Sequence, residues 1–139
     1  MAYPISLRAL AAALVLGTAG CATYTPGVRP ADGVMLSATD LRALIDRAAA
    51  GGRVFDNGYT GGLTYAFRAD GGMVVTWRFV TSASFAGSWR IDAEGQRLCT
   101  RVERDAETCA HVYRLPAQAD RYYVDVAGGS SSANTFRMR

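Results

Sequence analysis

The chain has 139 residues, half of which are hydrophobic, and its formal net charge at pH 7 is +3. This length is that of one domain of ordinary size with a buried core. All 15 basic residues are arginines, and they alternate with acids instead of forming a basic run or stripe. The charge pattern therefore argues against a nucleic acid as a partner.

The first 20 residues have the layout of an export signal. Met1 to Arg8 carries one positive charge and no acid, and an apolar run of signal-peptide length follows from Ala9 to Ala19. Cys21 stands directly after Thr18-Ala19-Gly20. This arrangement resembles the signal of a bacterial lipoprotein precursor. The resemblance implies cleavage before Cys21 and fatty acylation of that cysteine.

The same resemblance implies a location in the bacterial cell envelope. Ala22 after the acylated cysteine is compatible with sorting to the periplasmic face of the outer membrane. One alternative is an ordinary cleaved signal in which the cysteine is incidental. Another is an uncleaved anchor, although the eleven residues from Ala9 to Ala19 fall short of the roughly 20 that a spanning helix needs.

Residues 22–35 contain two prolines and two glycines and show no hydrophobic periodicity. Such a segment is typical of a linker. We therefore predict a signal peptide at 1–20, a lipidated N-terminus and tether at 21–35, and a single β-rich domain at 36–139.

One helix is predicted, from Ser37 to Ala50. Ser37 is a suitable N-cap, and Asp40 three residues later resembles the acidic member of a capping box. Leu41, Leu44 and Ile45 form an apolar stripe with helical spacing, and Gly51-Gly52 ends the segment. The narrow stripe is typical of a helix that packs on a sheet.

From Arg53 onward, apolar and polar residues alternate with a period of two, and turn sequences such as Asp70-Gly71-Gly72 separate the segments. This pattern predicts half-buried antiparallel strands. The expected fold is mainly β (α+β). One N-terminal helix packs on a meandering antiparallel sheet, or on a small lipocalin-like barrel, of six to eight strands.

Six aromatic residues are predicted to share one face of this sheet: Tyr65, Phe67, Trp77, Phe79, Phe85 and Trp89. The simpler interpretation is a packed core. The functional alternative is an apolar cavity that binds a small ligand, in which Gly87 at an inward position leaves room. Tyr122 and Tyr123 are adjacent and point to opposite faces, so one of them is expected to be exposed.

The chain has three cysteines, Cys21, Cys99 and Cys109. If Cys21 carries lipid, the other two form an even pair in an oxidising compartment, where disulfides persist. They lie in adjacent predicted strands joined by a turn around Asp105. We therefore predict a Cys99–Cys109 disulfide.

The alternative use of these thiols is a metal site formed with His111, the chain's single histidine. Two thiolates and one imidazole suit zinc, but no fourth ligand is spaced with them. His111 also lacks the nearby nucleophile and orienting carboxylate that a general base requires. We expect no metal, no cofactor and no enzymatic activity.

Several short motifs over about 37–126 resemble a group of small exported bacterial domains of unknown function. They are the helix opening Leu36-Ser37-Ala38-Thr39-Asp40, then Tyr65-Ala66-Phe67-Arg68-Ala69-Asp70-Gly71, Gly87-Ser88-Trp89, Leu98-Cys99 and Cys109. The resemblance is consistent with the predicted fold and disulfide, and it implies no activity.

Three functions follow from these features. The first is a lipid-anchored, non-catalytic binding or structural module that contacts another envelope protein. The second is a small barrel that binds an apolar ligand. The third is an exported protease inhibitor that presents a rigid loop at 103–108. The poverty of catalytic groups favours all three over an enzyme.

Overall fold

The computed structural model describes residues 31–57, 62–78, 80–118, 120–126 and 135–139. The predicted signal peptide, most of the predicted tether, Cys21 and Phe79 lie outside these ranges.

The predicted helix is confirmed as α1, Ala38–Ala50. The Ser37 hydroxyl accepts a hydrogen bond from the Asp40 backbone N–H, and the Asp40 carboxylate accepts one from the Ser37 N–H, which completes the capping box. The Ser37 side chain also donates to this carboxylate, and these bonds hold the pKa of Asp40 below its ordinary value. The apolar stripe of α1 is buried, and Ala48 extends it.

Nine strands lie in the described part of the chain. They are β1 (Val34–Met35), β2 (Phe55–Asp56), β3 (Leu63–Phe67), β4 (Gly72–Arg78), β5 (Ser82–Asp92), β6 (Arg97–Val102), β7 (Thr108–Arg114), β8 (Arg121–Asp125) and β9 (Thr135–Met138). Strand β1 is formed by the last two residues of the predicted tether and pairs with the end of β7.

Strands β2 to β9 form an antiparallel meander that closes into an eight-stranded barrel. Each strand pairs with the next along the chain, and β9 returns to pair with β2, where Phe55 lies opposite Met138. The predicted small barrel is therefore confirmed, and of the two expected arrangements the sheet adopts the closed one. Closure gives both edges of the meander a partner and so removes exposed backbone groups.

Helix α1 packs across the end of the barrel that carries the β5–β6 turn. The backbone N–H of Ala38 donates to the Gln96 side-chain oxygen of that turn over 2.6 Å. The Arg42 guanidinium lies 5.1 Å from the centre of the Trp89 ring. Leu41 and Ile45, which are each 1 % exposed, point into the barrel core. The helix therefore closes this end and directs its apolar face at the interior.

Candidate functional site

The barrel interior contains a cavity of about 350 Å³. Its closed end is formed by Leu41, Leu44 and Ile45 of α1. Side chains of β2, β3 and β6 to β9 form the wall, among them Phe55, Leu98, Val112, Val124 and Phe136. Asp105, Ala106 and Thr108 line it at the far end, where β6 turns into β7, and all three are exposed. An interior cavity of this size and composition falls in the range of small-molecule sites.

Two of the predicted aromatic residues, Tyr65 and Phe67, line this cavity. The Tyr65 ring packs edge-on against Phe136, with ring centres 5.3 Å apart, and stacks on Phe67 at 6.4 Å. These contacts fix the Tyr65 ring within the wall.

Trp89 is buried but lies at the end closed by α1 and does not line the cavity. Its indole N–H donates to the Arg68 carbonyl oxygen over 2.8 Å, and its ring meets Phe67 edge-on. Trp89 therefore contacts Arg42 of the helix, the end of β3 and the ring of Phe67 in the core.

Trp77 and Phe85 face the same way as Tyr65 in the strand register, but neither lines the cavity. Trp77 is 45 % exposed near the end of β4, and Phe85 is half-buried. The aromatic residues of the predicted ligand face therefore lie in three places. Tyr65 and Phe67 line the cavity, Trp89 lies at the end closed by α1, and Trp77 and Phe85 lie elsewhere on the β4–β5 hairpin.

The room expected at Gly87 is filled. A Cβ atom there would lie 2.5 Å from the Arg101 carbonyl oxygen and 2.8 Å from the Met73 side chain. Met73 and Val75, both buried, occupy the β4 side of the interior. The cavity consequently lies toward the other strands, and Gly87 serves close packing instead.

Several lining residues were missed at the sequence level. They come from the second half of the meander, where Val112, Tyr122, Val124 and Phe136 turn inward. The alternation that identified β3 also runs through Tyr122, Val124 and Val126, and this signal could have identified them.

The expectation that either Tyr122 or Tyr123 is exposed was wrong. Tyr122 is 7 % exposed in the interior and Tyr123 is 3 % exposed on the outer face. Tyr123 is buried there because it packs with Tyr113 and Leu115 in a second apolar cluster. Strand alternation assigns a face but does not reveal what covers it.

The polar groups of the cavity are few and mostly uncharged. Tyr65, Tyr122, Thr100 and Thr108 supply hydroxyls. Burial raises the pKa of Tyr65, so its hydroxyl remains protonated over an even wider pH range than that of an exposed tyrosine. Asp105 is the only acidic side chain among the described lining residues, and no arginine of the described ranges lines the cavity.

On the outer face, the structure supports the predicted disulfide. Cys99 and Cys109 lie directly opposite each other in the β6–β7 ladder, their sulfurs are bonded, and their Cα atoms are 4.0 Å apart. Glu107 lies beside them and accepts two hydrogen bonds from Arg90, at 3.0 and 2.5 Å. This pairing lowers the pKa of Glu107.

The arrangement on the outer face does not favour a metal ion. The potential ligand atoms of Cys99, Glu107 and Cys109 lie within 4.8 Å of one another. However, a disulfide removes the thiolates that zinc would require. His111 is not a member of this group; its Nε2 lies 3.0 Å from the Gly95 carbonyl oxygen.

No protein-family model matches the chain, and neither a curated protein nor a solved structure is significantly similar to it. Among the described residues, no helix has the length and apolarity needed to cross a membrane. The fold and the cavity alone define the class: a small, closed antiparallel barrel with a largely apolar cavity.

Proposed function

We propose that this protein is a non-catalytic binding module that takes up a small, largely apolar molecule inside its barrel. The proposal is based on the cavity of about 350 Å³ between α1 and the strand wall. A core that only stabilises a fold is normally packed with few voids larger than a water molecule. A cavity of this size in so small a domain is more typical of a ligand site.

The cavity wall favours an apolar occupant for a physical reason. Leu41, Phe55, Leu98, Val112 and Phe136 present hydrocarbon to it. A ligand that covers these side chains removes apolar area from water at both surfaces, which stabilises a complex by roughly 25 cal/mol per Å² before the costs of association. A strongly polar ligand would lose its hydration without compensation.

We further propose that the barrel works in the bacterial cell envelope, held there by lipid on Cys21. The support is the signal-like sequence ending in Thr18-Ala19-Gly20-Cys21 and an outer-face disulfide suited to an oxidising compartment. A tethered binder would sample apolar molecules close to the membrane surface.

Titration with the uncharged fluorophore N-phenylnaphthylamine tests the binding function. We expect fluorescence enhancement that saturates at one molecule per protein. Thr100→Phe places a large ring in the cavity and should weaken binding by at least about tenfold, which corresponds to about 1.4 kcal/mol. Ala110→Leu fills less of the cavity and should weaken binding by a smaller factor.

The matched control is Arg101→Phe, because Arg101 follows Thr100 on β6 but is exposed on the outer face. This variant should bind the fluorophore like the wild type. Thermal unfolding of each variant shows that it is folded. If the wild type does not bind, or if the inward and outward variants behave alike, the proposed function is wrong.

A further inference from the structure

The charges around the cavity narrow the class of ligand. The chain carries 15 arginines, yet none in the described ranges lines the cavity. An anionic group that entered the barrel would lose its hydration and find no cation among the described lining residues. Burial of an unpaired charge is strongly unfavourable.

The one acid among the described lining residues strengthens this preference. Asp105 lines the cavity at the exposed β6–β7 end, in a turn where its backbone N–H donates to the Val102 carbonyl oxygen over 2.9 Å. Arg101 and Arg104 belong to the same hairpin but do not line the cavity. Among the charged side chains of this hairpin, the one that lines the cavity therefore repels an anion.

Neutral hydrogen-bonding groups are available deeper in the barrel. The Tyr65 side chain lies in the cavity wall; its hydroxyl, like that of any tyrosine, is uncharged at neutral pH, and burial raises its pKa further. A protonated hydroxyl both donates and accepts hydrogen bonds, so it suits an alcohol, an ester or an amide.

We infer that the ligand of this barrel is an uncharged amphiphile, an apolar chain or ring with one neutral polar group that hydrogen-bonds to Tyr65, and that the site rejects amphiphilic anions. This inference rests on the proposed binding function. It further specifies the chemical class of the ligand.

Competition against bound N-phenylnaphthylamine tests the inference with two probes of equal chain length, decanol and decanoate. At about pH 8 decanoate is ionised, because a carboxyl group titrates near pH 4 to 5. We expect decanol to displace the fluorophore at a concentration at least about tenfold lower than decanoate. Tyr65→Phe should weaken decanol several-fold, and by a clearly larger factor than it weakens the fluorophore.

Asp105→Asn tests the effect of the negative charge at the exposed end of the cavity. It should improve decanoate binding several-fold and change decanol binding by a much smaller factor. Glu103→Gln is the matched control, since Glu103 lies in the same turn but does not line the cavity, and it should change neither probe.

Equal or tighter binding of decanoate by the wild type would overturn the inference while the binding function stands. Unaltered decanol affinity in Tyr65→Phe would also overturn it, because the neutral partner would then lie elsewhere. Failure of the fluorophore and both probes to bind would instead overturn the proposed function itself.

Discussion

At the scale of single residues, ion pairs form on the outer face where the fold places an acid beside an arginine. Arg90 of β5 and Glu107, which directly precedes β7, form a bidentate ion pair beside the disulfide. Asp92 pairs with Arg97 across the β5–β6 turn, and this hydrogen bond lowers the pKa of Asp92. Such partly exposed pairs stabilise a fold modestly, but they make its stability depend on pH.

Glu107→Gln should remove one part of the loss of stability that the fold shows in acid. The folded pKa of Glu107 lies below its unfolded value because Arg90 hydrogen-bonds to its carboxylate. The pair therefore stabilises the fold above the unfolded pKa, and this contribution is lost as pH falls through the folded pKa. Thermal unfolding from about pH 6 to about pH 3 should show a wild-type advantage that shrinks toward zero in acid.

Arg90→Gln is the matched variant, because it removes the other partner. At neutral pH, the midpoint temperature of thermal unfolding should fall by a similar amount in the two single variants and in the double variant. If the wild type is still more stable than Glu107→Gln by the same amount at the acid end, the ion pair is not the cause of the difference in stability.

At the scale of elements, the β6–β7 hairpin combines a structural and a functional face. Inward residues such as Thr100, Val102 and Thr108 line the cavity, whereas Cys99 and Cys109 bridge the same two strands outside. The disulfide thus holds together the hairpin that forms part of the cavity wall. Alternation along β6 and β7 separates these two faces, and the register of the pairing decides which residues meet.

Replacing both Cys99 and Cys109 by alanine should lower the free energy of unfolding by about 2.5–3 kcal/mol, as the chain-entropy model gives for a loop of this length. Urea unfolding of the variant and of the wild type measures this difference. Reductant should destabilise the wild type by a similar amount and leave the double variant unchanged. Equal stability of the oxidised wild type and the variant would contradict the predicted role of the bridge.

At the scale of the whole molecule, the barrel is closed by contacts between distant parts of the chain. Strand β9 pairs with both β8 and β2, and α1 covers one end of the closed sheet. Each edge of the meander therefore has a backbone partner. The cavity exists only in this closed arrangement, because its lining comes from both halves of the meander and from the helix.

Cys21→Ser tests the proposed placement of the whole protein in a membrane. We expect the wild type in the membrane fraction, with the mass of residues 21–139 plus fatty acyl groups and less the two hydrogens lost on forming a disulfide. The serine variant should lack the acyl mass and leave the membrane fraction. Cys99→Ala is the control, because loss of the bridge should not release the acylated protein. Unacylated wild-type protein would rule out the anchor.

The amino-acid sequence by itself determined the helix with its capping box, the strands from β3 onward, the alternating faces of β3 to β5 and the Cys99–Cys109 pair. These features depend on residues close together in the chain or on a simple repeat. It also identified Tyr65 and Phe67 as members of an inward apolar face. The tertiary structure decided that the sheet closes, that Met73 fills the space beside Gly87, and that Trp77 lies outside the cavity. Those outcomes depend on pairings such as Phe55 with Met138, which join parts of the chain that local patterns do not relate.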